Sequence, residues 1–201
     1  MVKSQNKYKT QSTRFSSWNY GWNGSYFITI CTHHHLSSFG NIQNDRMCLS
    51  NAGIIVDILW HEIPHHARDI RLSKFVVMPN HIHGILILDG GNCGNTGIVE
   101  NNTTPPSIGC NRFQNQGKNT ISSIVGSYKS AVTRHANRLG FDFKWQTNFW
   151  EHIIRDENEF GRISEYIVTN PARWQQDKLN NDPGNSVLEP CPPYNEEIWM
   201  V

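Results

Sequence analysis

The sequence predicts an α+β protein with a ferredoxin-like βαββαβ antiparallel sheet, helices on one face of it, and one further helix appended at the C-terminal end. Apolar runs rich in Val, Ile and aromatic residues alternate with segments of helical periodicity. Their order is strand, helix, strand, strand, helix, strand, helix, and the first six elements match one ferredoxin-like unit. A length of 201 residues indicates a single domain with a substantial core.

Composition excludes several classes of protein. Charged residues make up 17% and hydrophobic residues 37%, which is typical of a soluble globular chain. No run approaches the roughly 18 apolar residues of a membrane span, and residues 1–13 lack the apolar core of a signal peptide, so we expect a cytoplasmic protein. The cysteines are odd in number and never in a Cys-x-x-Cys pair, which argues against a disulfide framework and a structural zinc site.

The formal net charge is only +1, so the total charge does not indicate a nucleic-acid-binding protein. Basic residues nevertheless concentrate in two segments, which are either local phosphate-binding faces or ordinary solvated surface. The first segment includes a basic N-terminal arm over residues 1–20. The basic residues are Lys3, Lys7, Lys9 and Arg14 in the first segment, and Lys118, Lys129, Arg134, Arg138 and Lys144 in the second.

The first strand is predicted over Ser25–Thr32, a β-branched and aromatic run. The three histidines that follow, at 33–35, show no alternation that would place them on one face, so we do not expect them to bind a metal. A helix is predicted next, capped by Ser50 or Asn51 and ended by Pro64. Its expected buried stripe is Ile55, Ile58, Leu59 and Ile63.

Residues 74–88 form the central stretch of the chain, two apolar strands joined at a Met-Pro-Asn corner. The second strand begins His81-Ile82-His83. Because residues i and i+2 of a strand point to the same face, both imidazoles would lie side by side, as metal ligands do. The alternative is a sheet face that carries two solvated histidines.

Residues 89–120 are rich in Gly, Asn, Thr and Pro, and we expect a mobile loop there. Helical periodicity then returns, with Lys129, Arg134 and Arg138 lying largely away from the buried stripe. Tyr128 lies on this helix and is a candidate nucleophile. Its neighbour one turn later is Val132, which has no atom that could bind a metal ion beside the tyrosine. The expected stripe is Ile121, Ile124, Val125, Tyr128, Val132 and His135.

Residues 145–155 are interpreted as a loop entering the last strand, in which Phe149 and Trp150 either join the core or stack on bases. A helix follows over 157–170, with Asp156 as the N-cap and Glu159 completing a capping box. Phe160, Ile163 and Ile167 form its apolar stripe. Arg162, Tyr166 and Asn170 lie along an adjacent line, and Asn170 is expected to depart from helical dihedrals because Pro171 follows it.

Three segments together resemble a known family. Met78–Gly84 resembles the His-hydrophobic-His segment of the single-strand tyrosine transposases of small bacterial insertion sequences. Within that family, the segment most resembles the branch of REP-associated tyrosine transposases. The segments 145–151 and 166–171 resemble the same branch. The similarity covers roughly residues 20–175, so we expect a catalytic domain over 21–175 and a C-terminal tail over 176–201.

The resemblance implies that Tyr166 is a nucleophile that cleaves single-stranded or hairpin DNA and forms a 5′-phosphotyrosine link. It also implies a divalent cation, Mg²⁺ or Mn²⁺, which we expect to be held by His81, His83 and the side-chain oxygen of Asn170. Arg162 is expected either to neutralise the scissile phosphate or to pair with Glu159 or Glu165. Candidate contacts to the rest of the DNA are Arg14, Lys129, Arg134 and Arg138.

Two other functions remain open from the sequence. A metal-dependent nuclease would use the same histidines with water in place of tyrosine. A ferredoxin-like nucleic-acid-binding module would perform no chemistry and would depend on aromatic residues that stack on bases. The sequence leaves open whether the protein is a monomer or a homodimer.

Overall fold

The computed structural model describes residues 23–89 and 120–180. The predicted N-terminal arm, nearly all of the predicted loop and residues 181–201 lie outside this part of the chain. No helix within the described ranges is both long and apolar enough to cross a membrane. The strands are β1 (Gly24–Cys31), β2 (Gly40–Gln43), β3 (Arg46–Leu49), β4 (Ile70–Val77), β5 (His81–Leu88) and β6 (Trp150–Ile154); the helices are α1 (Asn51–His61), α2 (Ile63–His66), α3 (Ile121–Arg138) and α4 (Glu157–Thr169).

Four strands form one antiparallel sheet in the order β4-β5-β1-β6, which is the ferredoxin-like order. Alternate residues of β1 separate two apolar clusters. Tyr26, Ile28 and Ile30 pack with α1 and α3, whereas Phe27 belongs to a smaller cluster with α4. The predicted fold class is therefore confirmed, and α4 lies on the face opposite the other two long helices.

The predicted stripe of helix α1 is confirmed except at Ile58, which is 54% exposed; its other three residues are buried or half-buried against the core. The deepest residues of the helix are Val56 and Trp60, both fully buried. The Trp60 indole stacks on Phe75 at 4.5 Å between ring centroids. Ser50 caps the helix as expected by accepting a hydrogen bond from the Gly53 amide at 3.1 Å.

The other helix ends agree with the sequence more closely. Helix α1 ends before Pro64, which lies in the first turn of α2, where no amide hydrogen is needed. Helix α3 has the predicted buried stripe except at its last position, where Ala136 is buried and His135 is exposed. Asp156 caps α4 as predicted, accepting from the Glu159 amide at 2.8 Å.

The hairpin formed by β2 and β3 was not among the predicted elements. Its strands have four residues each and little apolar alternation. Asn44 and Asp45 connect them with φ angles of 49° and 61°, the left-handed pair that suits a two-residue hairpin turn. The hairpin borders the Met-Pro-Asn corner, since the Phe39 amide just before β2 donates to the Pro79 carbonyl at 2.9 Å.

Gly84 is the close-approach point between the sheet and α1. A Cβ atom there would lie 2.3 Å from the Trp60 ring, so Gly84→Ala should lower the free energy of unfolding by about 1–3 kcal/mol, measured by chemical denaturation. Gly126→Ala on α3 is the matched control. Its Cβ would meet nothing within 4 Å, and it should raise stability by about 0.5–1 kcal/mol. Equal effects of the two variants would contradict this account of the packing.

Candidate metal and catalytic centre

His81 and His83 begin β5 and lie on the face of the sheet that α4 covers. Both side chains are buried, with exposures of 0% and 2%. Their Nε2 atoms are 3.0 Å apart. The structure therefore places the two imidazoles together as strand alternation predicts, but in the protein interior and not on a solvated face.

Asn80 fixes the orientation of the first histidine. Its amide nitrogen donates to the carbonyls of His35 and Leu179, at 3.2 and 2.8 Å, which leaves Oδ1 facing His81 Nδ1 at 2.7 Å. A carbonyl oxygen only accepts hydrogen bonds, so His81 Nδ1 carries the proton. In the neutral ring, Nε2 of His81 is then an unprotonated atom available to a ligand.

Both histidines are held in the neutral form. Burial, with a smaller contribution from the charge of His35, lowers the pKa of His81 to about 3. Burial, followed by the neighbouring His81, lowers the pKa of His83 well below its usual value, and Asp177 opposes this shift. Neutral imidazole is the form that binds metals.

Thr29 orients the second histidine from the neighbouring strand. Its hydroxyl lies 2.8 Å from His83 Nδ1, and the two residues are directly paired across β1 and β5. A partner on the second ring nitrogen is typical of histidines that bind metal ions. Thr29 is able to donate or accept in this bond, so it supports either tautomer of His83.

Tyr166 on α4 lies against the histidine pair, across the interface between the helix and the sheet. Its hydroxyl is 3.3 Å from His83 Nε2, and its side chain is 38% exposed, so it is open to solvent while the histidines are not. Burial of the ring edge and the charge of Asp177 raise the pKa of Tyr166, and the Asn170 amide partly offsets the rise. The resting group is a neutral phenol.

Asn170 lies one turn beyond Tyr166 and is buried. The expected departure from helical dihedrals before Pro171 is wrong: φ is −57° and ψ is −43°, because the chain continues into a 3₁₀ helix, Pro171–Gln176, that has proline in its first turn. Asn170 Nδ2 donates to Asp177 Oδ2 at 3.1 Å. Its Oδ1 atom is buried without a hydrogen-bond partner.

Asp177 is the residue of this centre that sequence reasoning missed. A ligand atom from each of Asp177, His81 and His83 lies within 4.8 Å of the others. Asp177 falls just inside the segment interpreted as a tail, and a single carboxylate after a 3₁₀ turn has no periodicity that would indicate its direction. Only its proximity in space to β5 reveals it.

These groups fit a divalent cation. Two ligands at about 2.1 Å from one ion and at right angles to each other lie about 3.0 Å apart, which is the spacing of the two Nε2 atoms. The Asp177 carboxylate adds an oxygen donor within 4.8 Å of both imidazoles. The Asn170 side chain bonds Asp177 through Nδ2 and has an unpartnered Oδ1 atom. Mixed nitrogen and oxygen donors suit Mn²⁺ and other transition ions better than Mg²⁺ alone.

The predicted DNA-contact residues are dispersed. Arg162 is exposed on α4, one turn before Tyr166. Arg134 and Arg138 are exposed on α3, on the opposite side of the sheet from the histidines. Lys129 donates to the carbonyls of residues 146 and 147, so it holds a loop, and Arg14 lies outside the described residues.

The other aromatic residues considered for a role in catalysis or base stacking differ in burial and position. Tyr128 is buried, and its hydroxyl donates to the Val56 carbonyl at 2.9 Å on the far side of the sheet, away from the histidines. Phe149 packs against the larger cluster, whereas Trp150 is 47% exposed. Only Tyr166 of the two tyrosines considered is close to the centre.

Comparison with known proteins gives relatives both in sequence and in structure. The chain is 40% identical over 176 residues to an uncharacterized protein of Haemophilus influenzae, covering 86% of this chain and 93% of the relative. It is 26% identical over 152 residues to the REP-associated tyrosine transposase of Escherichia coli, covering 75% and 67%. No model of a known protein family matches the chain.

One solved structure with a similar fold is a REP-associated tyrosine transposase bound to a REP hairpin. It aligns with a TM-score of 0.54 over 87% of this chain and 80% of that chain, at 19% sequence identity. At this identity the likeness shows a shared fold.

The buried neutral histidines should make stability depend on pH. Below pH 6.5 the unfolded chain protonates His81 while the folded chain does not, so stability falls as the pH drops from 6.5 toward about 3. In metal-free buffer, His81→Gln should flatten this decline by up to about 1.4 kcal/mol per pH unit, measured by denaturant titration across pH. The exposed His66→Gln is the control and should keep the wild-type profile. Parallel profiles for wild type and His81→Gln would refute the neutral assignment.

Proposed function

We propose that this chain is a REP-associated tyrosine transposase, which its distant sequence similarity and its shared fold support, and that it cleaves and rejoins single-stranded DNA through a covalent 5′-phosphotyrosine intermediate formed by Tyr166. One observation carries the proposal: the Tyr166 hydroxyl is within 3.3 Å of His83 Nε2, which is itself 3.0 Å from His81 Nε2. A solvent-accessible nucleophile therefore meets a buried pair of neutral imidazoles.

The reaction is a transesterification. The phenol oxygen of Tyr166 forms a bond to phosphorus, the bond from phosphorus to the 3′ oxygen breaks, and the phenol proton is transferred to the released 3′-hydroxyl. Attack by a 3′-hydroxyl on the phosphotyrosine reverses the step and joins the ends, so no external energy source is required. The unperturbed tyrosine pKa of about 10 makes phenolate a better leaving group than an alkoxide.

A divalent cation fits the centre, with His81, His83 and the Asn170 Oδ1 atom as proposed ligands and Asp177 beside them. When bound, such an ion supplies Lewis-acid polarisation of the phosphate and offsets its developing negative charge. The donor set supports Mn²⁺ or Mg²⁺, with the two imidazoles favouring Mn²⁺.

The surrounding residues hold these groups in place. Asn80 and Thr29 fix the ring orientations of the two histidines through their Nδ1 atoms. Helix α4 determines the position of Tyr166, since Ile167 is buried between the helix and the sheet while Tyr166 stays accessible. Arg162, exposed one turn earlier on α4, is suited to bind the phosphate backbone.

We propose that the substrate is DNA that forms a hairpin with single-stranded flanks. The solved relative with the same fold is bound to a REP hairpin, which supports this choice. Tyr166 is partly exposed on its helix and so is open to an unpaired strand, whereas the two histidines are buried.

Replacing the nucleophile tests the reaction class. A pool of end-labelled single-stranded stem-loops with randomised flanks, incubated with the full-length protein and Mn²⁺, should give a protein–DNA adduct that survives denaturing gel electrophoresis. Tyr166→Phe should abolish the adduct, because phenylalanine has no oxygen to attack phosphorus. Tyr128→Phe is the matched control and should keep it, since that hydroxyl only bonds the Val56 carbonyl.

Other outcomes of this experiment have distinct meanings. Cleavage without an adduct in wild type and in Tyr166→Phe would replace the proposal with hydrolysis by water. An adduct retained by Tyr166→Phe would place the nucleophile elsewhere in the chain.

The orienting role of Thr29 is tested separately. Thr29→Val keeps the shape of the side chain but removes the hydroxyl that lies 2.8 Å from His83 Nδ1. We expect about a 10- to 100-fold loss of Mn²⁺ affinity, measured by isothermal titration calorimetry. Thr133→Val, which removes a hydroxyl bonded within α3, should leave the affinity unchanged. Equal affinities for Thr29→Val and wild type would exclude this role.

A further inference from the structure

We propose that Trp150 is a stacking platform for an unpaired base of the DNA strand next to the phosphate that Tyr166 attacks. This inference rests on the proposed function and extends it to the recognition of the substrate. It assigns a function to an aromatic side chain that sequence reasoning left undecided between the core and base stacking.

The first support is the exposure of Trp150. It is 47% exposed, although it lies in a regular strand where aromatic side chains are usually buried against a neighbouring element. Strand β6 is an edge of the four-stranded sheet, and α4 packs mainly against β4 and β5 at the other edge. Helix α4 reaches β6 at His152, which bonds Glu159 at 2.8 Å, whereas Trp150 at the start of the strand stays exposed.

The second support is the position of Trp150 relative to the centre. It is paired across the strands with Thr29, which is in turn paired with His83, so the three residues form one row across the sheet. With strands about 4.8 Å apart, Trp150 and His83 are about 10 Å apart along this row. A strand with its phosphate at the Tyr166 hydroxyl has the bases of its neighbouring nucleotides within reach of Trp150.

The third support is the rigidity of the ring. The Trp150 ring makes an edge contact with Phe27 at 5.5 Å between centroids and lies parallel to the His152 ring at 5.8 Å. Phe27 also contacts the rings of His83 and Tyr166, at 5.2 and 6.2 Å. One buried phenyl ring thus fixes the indole, the metal-ligand candidate and the nucleophile relative to one another.

The chemistry of this surface suits a nucleic-acid strand as the occupant. Arg162 on α4 and Arg155 directly after β6 are exposed cations, and they alternate with the exposed acids Asp156, Glu157 and Glu165. Single-strand binding sites combine such cations for the backbone with aromatic rings for the bases, and every base offers a face for stacking. A protein partner would be expected to cover a larger apolar patch than one indole and one imidazole.

Photochemical crosslinking tests the contact without requiring cleavage. The probe is a DNA stem-loop with single-stranded thymidine flanks, in which one thymidine at a time is replaced by 5-iododeoxyuridine. Irradiation with full-length Tyr166→Phe protein should give a crosslink at one or two flank positions that maps to Trp150 by mass spectrometry. Crosslinks confined to other aromatic residues would overturn the proposal.

Substitution gives an independent readout. Trp150→Ala should weaken binding of the same stem-loop by on the order of ten-fold, and Trp150→Phe should restore much of the loss, because the aromatic face is retained. Leu139→Ala removes a side chain that is 64% exposed at the end of α3 and should bind as wild type does. Unchanged binding by a folded Trp150→Ala variant would refute the platform.

The two proposals fail in different ways. A crosslink at Trp150 without a Tyr166 adduct would leave a strand-binding surface and remove the covalent chemistry. A normal adduct in Trp150→Ala, together with crosslinks elsewhere, would leave the chemistry and remove the platform.

Discussion

The pairing register of β5 against β1 controls the whole centre. Thr29 lies opposite His83 and Cys31 lies opposite His81, so both histidines face α4. If β5 slipped by one residue, both histidines would point toward α1 and α3. The apolar side chains of β5 that now pack against those helices would then point toward α4. Burial on both faces of β5 makes such a slip costly, because almost every residue of this strand is buried. Packing of the core on both faces of β5 therefore fixes the strand register, and the register fixes the face on which the two histidines lie.

The centre combines two requirements that oppose each other. Under the proposed function the two histidines bind a metal ion and must be neutral, and desolvation under α4 keeps them so. The proposed nucleophile, Tyr166, must be reached by a large, charged substrate, and it remains partly exposed. Helix α4 satisfies both conditions because Ile167 is buried against the sheet while Tyr166, the residue before it, lies at the edge of the contact. The helix is thus both a cover for the histidines and a support for the proposed nucleophile.

The sequence was informative wherever a local period was sufficient. The alternation in β5 and the spacing of Tyr166 and Asn170 on α4 both follow from backbone geometry, and both are present in the structure. Prediction was wrong where a particular contact overrides the period. In α1 the deepest residues are Val56 and Trp60 while Ile58 is exposed, because the Trp60 ring packs over Gly84 and stacks on Phe75. The β2–β3 hairpin was missed because its strands are too short for a periodic signal.

By itself, the sequence determined the order of the four strands of the main sheet and of the three long helices, and most of the residues that share one face of each. Tertiary structure alone decided which groups meet: His83 and Tyr166 are 83 residues apart in the chain, and Asp177 reaches the histidines from beyond the last long helix. It also decided that Trp150 is exposed while Phe149 packs inward. The physical reason is that local periodicity depends on backbone geometry, whereas burial and partners depend on how the elements pack against one another.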